Sequence, residues 1–97
     1  MYYVYILFSE KDKLLYTGST SDLRNRFKKH VDGFVKATKH RRPLRLIYYE
    51  AYSNELDARR REIYLKGGKG KSELKIQLKE ILLKLEYKFV DNNSPQT

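Results

Sequence analysis

The segment YYVYILFS, Tyr2–Ser9, and the segment LLYTGS, residues 14–19, decide the fold. The first mixes Tyr, Val, Ile and Phe, whose side chains pack well on the pleated surface of a sheet, and the second resumes in the same style with Leu and Tyr. The polar residues 10–13 separate the two segments, so the simplest arrangement is an antiparallel hairpin. Within the second segment, Gly18 indicates a bulge or the close approach of another group to the backbone.

Beyond the hairpin the chain carries helices and one more strand. Capping residues predict helices over residues 22–31 and 54–66, each ended by glycine, with a loop over 32–43 and a strand over 44–52 between them. The spacing of Leu74, Leu78, Ile81, Leu82 and Leu85 predicts one final amphipathic helix. The order ββαβαα therefore predicts an α+β domain, a small three-stranded antiparallel sheet flanked by helices.

Length and composition bound the class of protein. With 97 residues of which 40% are hydrophobic, the chain suffices for one small globular domain, expected over residues 1–90 with a disordered tail over 91–97. The absence of cysteine excludes disulfide scaffolds, thiolate zinc sites and cysteine nucleophiles. The longest apolar run, residues 1–8, is far shorter than a membrane span, and we expect a cytoplasmic protein with no membrane association.

Positive charge predicts a polyanionic partner. The 21 basic and 12 acidic residues give a net charge of +9, and the excess lies in residues 24–45 and 59–75. Each block alone is also typical of a solvated surface, but two blocks around an acidic strand favour a nucleic-acid groove. The residues expected to contact the nucleic-acid backbone are Lys29, Lys36, Lys39, Arg41, Arg42, Arg59 and Arg60.

Two tyrosines, Tyr5 and Tyr16, are expected on one face of the hairpin. Residues facing each other in an antiparallel pair have a constant index sum. A sum of 21 pairs Tyr5 with Tyr16, whereas a sum of 23 pairs Tyr16 with Leu7, next to Tyr5 on that face. The two hydroxyls could converge there, although ordinary half-buried sheet tyrosines explain the pattern equally well.

Two helical patterns add polar candidates. Asp22, Arg26 and His30 recur every four residues and form a stripe in which an arginine can grip phosphate and a histidine can donate a proton. Glu62 is an acid in a basic context that could hold one hard divalent cation. The alternatives are solvated ion pairs, Asp22 with Arg26 and Glu62 with Lys66.

These residues together resemble the GIY-YIG nucleases. Tyr3-Val4-Tyr5 stands in the place of the first signature triplet and Tyr16-Thr17-Gly18 in the place of the second. The stretch from Ser19 to His30 is similar to the family's first helix, and residues 58–66 are similar to the helix that supplies its glutamate. The resemblance covers about residues 2–80, and within them it is closest to the small, single-domain bacterial branch.

The resemblance implies a divalent-metal-dependent endonuclease, with DNA more expected than RNA as the substrate. Its implied catalytic residues are Tyr5, Tyr16, Arg26, His30 and Glu62. Glu62 would hold Mg²⁺ or Mn²⁺, Arg26 would stabilise the phosphoryl oxygens, and a tyrosine would orient or deprotonate the attacking water. His30 would assist or contact phosphate. A single domain of this size would use a second copy or a targeting partner protein to cut both strands or to find its substrate.

Three departures from the family pattern qualify the function. Tyr3 replaces a glycine of the first triplet. Ser19 stands where repair-type members have lysine, and an asparagine that many members place after the glutamate is absent from the final helix, with Gln77 as a possible substitute. The missing asparagine leaves open a non-catalytic nucleic-acid-binding module of the same fold. A structural protein that binds RNA would also fit the charge, but not the combination of five site residues.

Overall fold

The three predicted strands form one antiparallel sheet in the computed structural model, which describes residues 1–88. The strands are β1 (Tyr2–Ser9), β2 (Leu15–Thr20) and β3 (Leu44–Tyr52), and β1 lies in the centre of the order β2-β1-β3. The predicted α+β class is therefore confirmed. The predicted tail, residues 91–97, and the last two residues of the predicted domain lie outside the described residues.

The register of the hairpin follows the second of the two alternatives. Leu7 pairs with Tyr16, and Tyr5 pairs with Gly18. In the turn, the Ser9 hydroxyl accepts hydrogen bonds from the backbone N–H groups of Lys11 and Asp12 at 3.2 and 3.1 Å. This turn fixes the offset of the strands, so that Tyr5 and Tyr16 share a face without lying directly opposite each other.

Side-chain caps begin the first two predicted helices. The Asp22 carboxylate accepts from the Asn25 N–H before α1 (Leu23–Asp32), which ends at Gly33 with a φ of 86°. The Asn54 side chain accepts from the Leu56 N–H before α2 (Glu55–Lys66). The predicted loop between α1 and β3 contains a short 3₁₀ turn, Lys39–Arg41. Within residues 1–88, no helix combines the length and the apolar character that crossing a membrane requires.

The prediction of one final helix was wrong. The chain forms α3 (Gly68–Gln77) and α4 (Lys79–Lys84), and it bends at Leu78, whose φ and ψ are −102° and 20°. The bend allows Leu74 and Leu82 both to be buried in the core. Because Leu74, Leu78 and Leu82 keep a four-residue spacing across the bend, the pattern is the same for one helix as for two.

Helices cover both faces of the sheet, and β1 is buried between them. One face packs on α2, α3 and α4 through a cluster formed by Val4, Ile6, Phe8, Leu15, Ala58, Leu65, Leu74, Leu82 and Tyr87. The other face packs on α1 through Tyr5, Leu7 and Leu44 with Tyr16, Leu23, Phe27 and Leu46. Burial on both faces explains why β1 reads as a nearly continuous apolar run rather than an alternating one.

An ion pair attaches α2 to the sheet. The Arg61 guanidinium donates to the Glu50 carboxylate of β3 at 3.0 Å, and the hydroxyls of Tyr48 and Tyr52 donate to the same carboxylate at 2.6 and 2.5 Å. Burial alone would raise the pKa of Glu50, but these hydrogen bonds hold it below its usual value. The network fixes the rotation of α2 beside the next residue along the helix, Glu62.

Candidate active site

A buried hydrogen-bonded chain links the sheet to α1 and to the loop after it. The Tyr5 hydroxyl lies 2.8 Å from His30 Nε2, and His30 Nδ1 lies 2.7 Å from the Thr38 hydroxyl. All three residues are at most 1% exposed. Burial and the charge of Arg26 lower the pKa of His30 to about 4, so the imidazole is neutral at pH 7 and carries one N–H.

The surroundings of Thr38 indicate which nitrogen of His30 carries that proton. Within residues 1–88, the buried Thr38 hydroxyl has no hydrogen-bond partner other than His30 Nδ1. If Nδ1 carried the proton, the Thr38 O–H would be buried without an acceptor, which costs more than an unused lone pair. When Tyr5 is ionised, the Thr38 hydroxyl donates to Nδ1 and Nε2–H of His30 donates to the phenolate oxygen, so that every donor of the chain has an acceptor. In the neutral form, the Tyr5 O–H competes for the same nitrogen, Nε2.

Arg26 and Tyr16 complete this side of the site. Arg26 lies one turn before His30 on α1, and its guanidinium faces the phenols of Tyr5 and Tyr16; interaction with the Tyr5 hydroxyl is the main cause of a raised Arg26 pKa. The Tyr16 ring lies 6.4 Å from the Tyr5 ring and 5.2 Å from the His30 ring, measured between centroids. Two phenols, an imidazole and a guanidinium therefore meet at one end of α1.

Gly18 provides the space that the Tyr5 hydroxyl occupies. A Cβ atom at residue 18 would lie 2.5 Å from Tyr5 Oη, 2.6 Å from Tyr5 Cζ and 3.1 Å from Tyr16 Cε2. Of the two sequence interpretations of Gly18, a bulge or a close approach, the structure shows the close approach. The approaching group is the phenol of its own cross-strand partner.

We expect the Gly18→Ala variant to displace the Tyr5 ring from His30. The ring is buried and has no room to retreat, so the overlap should lower the free energy of unfolding by about 2 kcal/mol. Chemical denaturation measures that loss, and the imidazole NMR signals of His30 report the broken contact. Unchanged stability together with unchanged His30 signals would show that the space above residue 18 is not limiting.

Glu62 reaches the site from the opposite face of the sheet, past the edge formed by β2. Its carboxylate accepts from the Ser19 hydroxyl at 2.7 Å and pairs with the Lys66 ammonium at 2.9 Å. Burial would raise the pKa of Glu62, but these two partners hold it below its usual value, so the group is ionised. Its charge acts on the Tyr5 phenol, which places Glu62 in the same electrostatic environment.

The five predicted catalytic residues thus lie around one edge of the sheet. One expectation for His30 was contact with phosphate. Its ring is instead fully buried, and both ring nitrogens are hydrogen-bonded within the protein. Arg26 and Tyr16 are only partly buried, and the Glu62 side chain is 16% exposed. A phosphate can therefore approach the arginine, Tyr16 and the carboxylate, whereas the buried imidazole contacts the Tyr5 hydroxyl.

The donor set suits a hard cation that keeps phosphate and water ligands. Within residues 1–88, no group of three or more His, Asp or Glu side chains gathers into a metal cluster, and Glu62 is the carboxylate whose charge acts on the Tyr5 phenol. Magnesium sites commonly use one or two carboxylates and take their remaining oxygens from phosphate and water. The residues present therefore fit such an ion, with Glu62 as the protein ligand.

The basic residues predicted to bind nucleic acid differ in their exposure and in whether their charged groups already have partners within the protein. Lys29, Lys36 and Lys39 are exposed. Arg41 instead donates to the Asp12 carboxylate at 2.6 and 3.2 Å and to the Leu15 carbonyl, so it ties the loop to the hairpin.

The remaining predicted arginines are exposed but held by local bonds. Arg42 donates to the carbonyls of Lys39 and Val31 at 2.9 and 3.3 Å. Arg59 and Arg60 are paired on α2 with Glu55 and Asp57 at 3.8 and 3.0 Å. Exposed pairs of this kind contribute little to stability and can open toward a phosphate.

Gln77 does not take the place of the missing asparagine. It lies at the end of α3, where its side chain interacts with the Tyr48 hydroxyl on β3. Because β3 and β2 are the opposite edges of the sheet, this position is remote from Tyr16 and Ser19.

Two residues of the site carry no recognisable sequence signal. Thr38 lies in a loop eight residues after His30, a spacing that no regular element predicts. In the sequence, Ser19 is notable only because repair-type members have a lysine at this position. In the structure, its hydroxyl donates to the Glu62 carboxylate and orients it. Ser19 precedes its acceptor, Glu62, by 43 residues. Its role can therefore be recognised only once the sheet and α2 are in place.

Comparisons with known proteins agree with the geometry. The sequence profile of the GIY-YIG catalytic domain matches residues 1–77. UPF0213 protein CPE1444 of Clostridium perfringens is 46% identical over 67 residues, covering 68% of this chain and 71% of that protein. UPF0213 protein SSP2268 of Staphylococcus saprophyticus is 38% identical over 76 residues, covering 77% and 92%. No solved structure matches. The chain belongs to the GIY-YIG family, whose catalytic domain implies nuclease-type chemistry on nucleic acid.

Proposed function

We propose that this protein is a metal-dependent endonuclease that hydrolyses phosphodiester bonds in nucleic acid, with DNA as its substrate. The observation that carries the proposal is the convergence of Tyr5, Tyr16, Arg26, His30 and Glu62 from four elements around the β2 edge. A domain that only binds nucleic acid needs basic residues, but it has no need of a buried phenol-imidazole chain beside an ionised carboxylate.

Glu62 is the residue that would hold the cation, Mg²⁺ or Mn²⁺. When bound, the ion supplies Lewis-acid stabilisation of charge on the scissile phosphate. The protein's contribution is a carboxylate kept ionised and oriented by Ser19 and Lys66. On the other side of the site, the Arg26 guanidinium can neutralise charge that develops on the phosphoryl oxygens.

Tyr5 is the phenol we assign as general base for the attacking water. Its oxygen is the point on which Nε2–H of His30 and the Arg26 guanidinium converge, and both donors stabilise a phenolate. In the free protein burial outweighs them and raises the pKa of Tyr5 above its usual 10. The phenolate fraction therefore grows with pH, and the cleavage rate should rise about tenfold per pH unit across the neutral and mildly alkaline range.

Thr38 tests this assignment, because its hydroxyl favours the tautomer in which His30 donates to ionised Tyr5. The Thr38→Val variant keeps the shape but loses the hydroxyl that donates to Nδ1, so we expect mixed tautomers and about tenfold slower cleavage. Imidazole ¹⁵N chemical shifts read the tautomer directly, and Thr38→Ser should restore both properties. An unchanged ¹⁵N spectrum in Thr38→Val would contradict the assignment.

The exposed cations would follow the nucleic-acid backbone. Lys29, Lys36 and Lys39 flank the site from the α1 side, and Arg59 and Arg60 from the α2 side. Contacts of this kind give affinity without base readout and a strong dependence on salt. We place the protein in the cytoplasm, where a targeting partner or a second copy would supply the selectivity that the basic contacts lack.

One observation favours a second candidate, a non-catalytic nucleic-acid-binding module. The asparagine that many family members place after the glutamate is missing, and Gln77 lies at the far edge of the sheet. Such a module would bind DNA with the same basic residues and show no metal-dependent turnover.

A cleavage assay separates the two candidates. The purified protein is incubated at low salt with end-labelled single-stranded, duplex, flapped and branched DNA in Mg²⁺, in Mn²⁺ and in EDTA. Cleavage that requires the cation establishes the nuclease and its substrate class. Salt-sensitive binding without cleavage under any of these conditions would favour the binding module.

A further inference from the structure

A cleft of about 470 Å³ lies on the α1 face of the sheet, on the β3 side of Tyr5. Its walls include Tyr3, Tyr49, Leu46, Leu23, Phe27 and Arg24. The Tyr3 and Tyr49 rings meet edge to face with centroids 6.0 Å apart, and 54% of the Tyr49 surface is exposed. An aromatic surface left open to solvent beside a catalytic centre calls for a flat apolar ligand.

We propose that this cleft binds one unpaired nucleobase of the substrate, stacked against Tyr49. Aromatic side chains bind single-stranded nucleic acid in this way because every base has a π-face. A base inside a duplex is covered by its neighbours and cannot enter a cleft, so the nucleotide must be single-stranded or extruded. This inference rests on the proposed function, since it names the class of nucleic acid that the same site would take.

The position of the cleft relates the base to the cleavage site. Tyr3 and Tyr5 lie two residues apart on β1 and project from the same face, so their side chains start about 7 Å apart. Tyr49 pairs with Tyr5 across β1 and β3, so the cleft lies on the β3 side of Tyr5, whereas Tyr16 and Ser19 lie on its β2 side. A base in the cleft therefore belongs to a nucleotide that flanks the cleaved one rather than to the cleaved nucleotide itself.

The charges around the cleft suit a nucleotide rather than a neutral aromatic ligand. Two charged residues line the cleft, Arg24 and Asp22. The Asp22 carboxylate caps α1 by accepting from the Asn25 N–H, whereas Arg24 is exposed and, within residues 1–88, forms no ion pair, so its guanidinium is available to a phosphate or sugar. Tyr3 occupies the position of a signature glycine, and a glycine there would remove one wall of the cleft. The cleft is thus a property of this chain's own residues.

Binding measured in EDTA tests the inference without relying on cleavage. The probes are a single-stranded oligonucleotide labelled with 2-aminopurine, the same oligonucleotide lacking one base, and a duplex of equal length. We expect Tyr49→Ala to weaken single-strand affinity about 10-fold and to relieve fluorescence quenching, while duplex affinity stays the same. Tyr49→Phe keeps the ring and should bind like the wild type.

Tyr64→Ala is the matched control, because Tyr64 is another partly exposed tyrosine that lies on α2, outside the cleft. Equal single-strand affinity of Tyr49→Ala and the wild type would overturn the inference, as would an equal loss for single strand and duplex. Cleavage by Tyr49→Ala at the wild-type rate on every substrate would leave the nuclease standing and remove the base site. Single-strand binding that depends on Tyr49, without cleavage of any substrate, would support the base site and contradict the proposed nuclease activity.

Discussion

The Glu62→Gln variant is expected to lose cleavage by about a thousandfold or more while keeping its affinity for DNA. The substitution preserves the size of the side chain and its capacity to accept from Ser19, but it removes the negative charge that would hold the cation. Loss of metal stabilisation at the phosphate is worth several kcal/mol, and each 1.36 kcal/mol is a factor of ten in rate.

The fold should survive this change. Lys66 loses its partner, but its side chain is 55% exposed and water can solvate the ammonium. DNA affinity in EDTA should stay the same or rise slightly, because one negative charge is removed from a basic surface.

A matched control lies on the same helix. Glu55 pairs with Arg59 at 3.8 Å in the first turn of α2, and Glu55→Gln should cleave at nearly the wild-type rate. The measurement is single-turnover cleavage of the best substrate in Mg²⁺ and Mn²⁺, with affinity measured separately in EDTA. Wild-type cleavage by Glu62→Gln would contradict the assigned role of the carboxylate.

The Gly70→Ala variant is expected to be the most destabilising of the glycine changes. Gly70 lies where α3 crosses the end of α2, and an added Cβ would overlap the backbone carbonyl of Tyr64. A backbone atom cannot rotate away as a side chain can, so the two helices must separate. We expect a loss of about 3 kcal/mol of unfolding free energy, or a fall in melting temperature of roughly 10–20 °C.

Gly68 provides the comparison that isolates this clash. It lies in the same helix, and a Cβ there would meet no atom within 4 Å. Gly68→Ala should therefore be neutral or slightly stabilising, because alanine favours the helix and restricts the unfolded chain. Thermal and urea unfolding of both variants check the prediction, and similar stability of the two would show that the contact with Tyr64 is not tight.

The sheet could be predicted from sequence because its signals are local. Aromatic and β-branched residues mark the strands, the polar turn separates β1 from β2, and the index sums left only two registers for Tyr5 and Tyr16. The choice between them depends on the turn, where the Ser9 hydroxyl binds two backbone N–H groups. The covering of both faces by helices was not predicted, since it depends on where the connections run.

The residues of the candidate site could be singled out from the sequence, but the side chains that they contact could not. Tyr5, Arg26, His30 and Glu62 lie at positions that resemble a family signature. The roles of Thr38, Ser19 and Arg41 come from contacts across 8, 43 and 29 residues, which leave no periodicity in the chain. Arg41 shows the opposite case, because a residue of a basic block that is predicted to bind nucleic acid is instead paired with a partly exposed carboxylate, that of Asp12.

Because Tyr5 packs over Gly18, the substitutions that each of the two positions tolerates depend on the residue at the other. The Tyr5 ring fills the volume that a side chain at residue 18 would need. A methyl group at residue 18 is therefore destabilising only while residue 5 is a tyrosine. The free-energy costs of changing both should therefore be less than the sum of the costs of changing each. In lineages where both positions change, we expect Tyr5 to be replaced by a smaller residue first and a side chain to appear at residue 18 only afterwards.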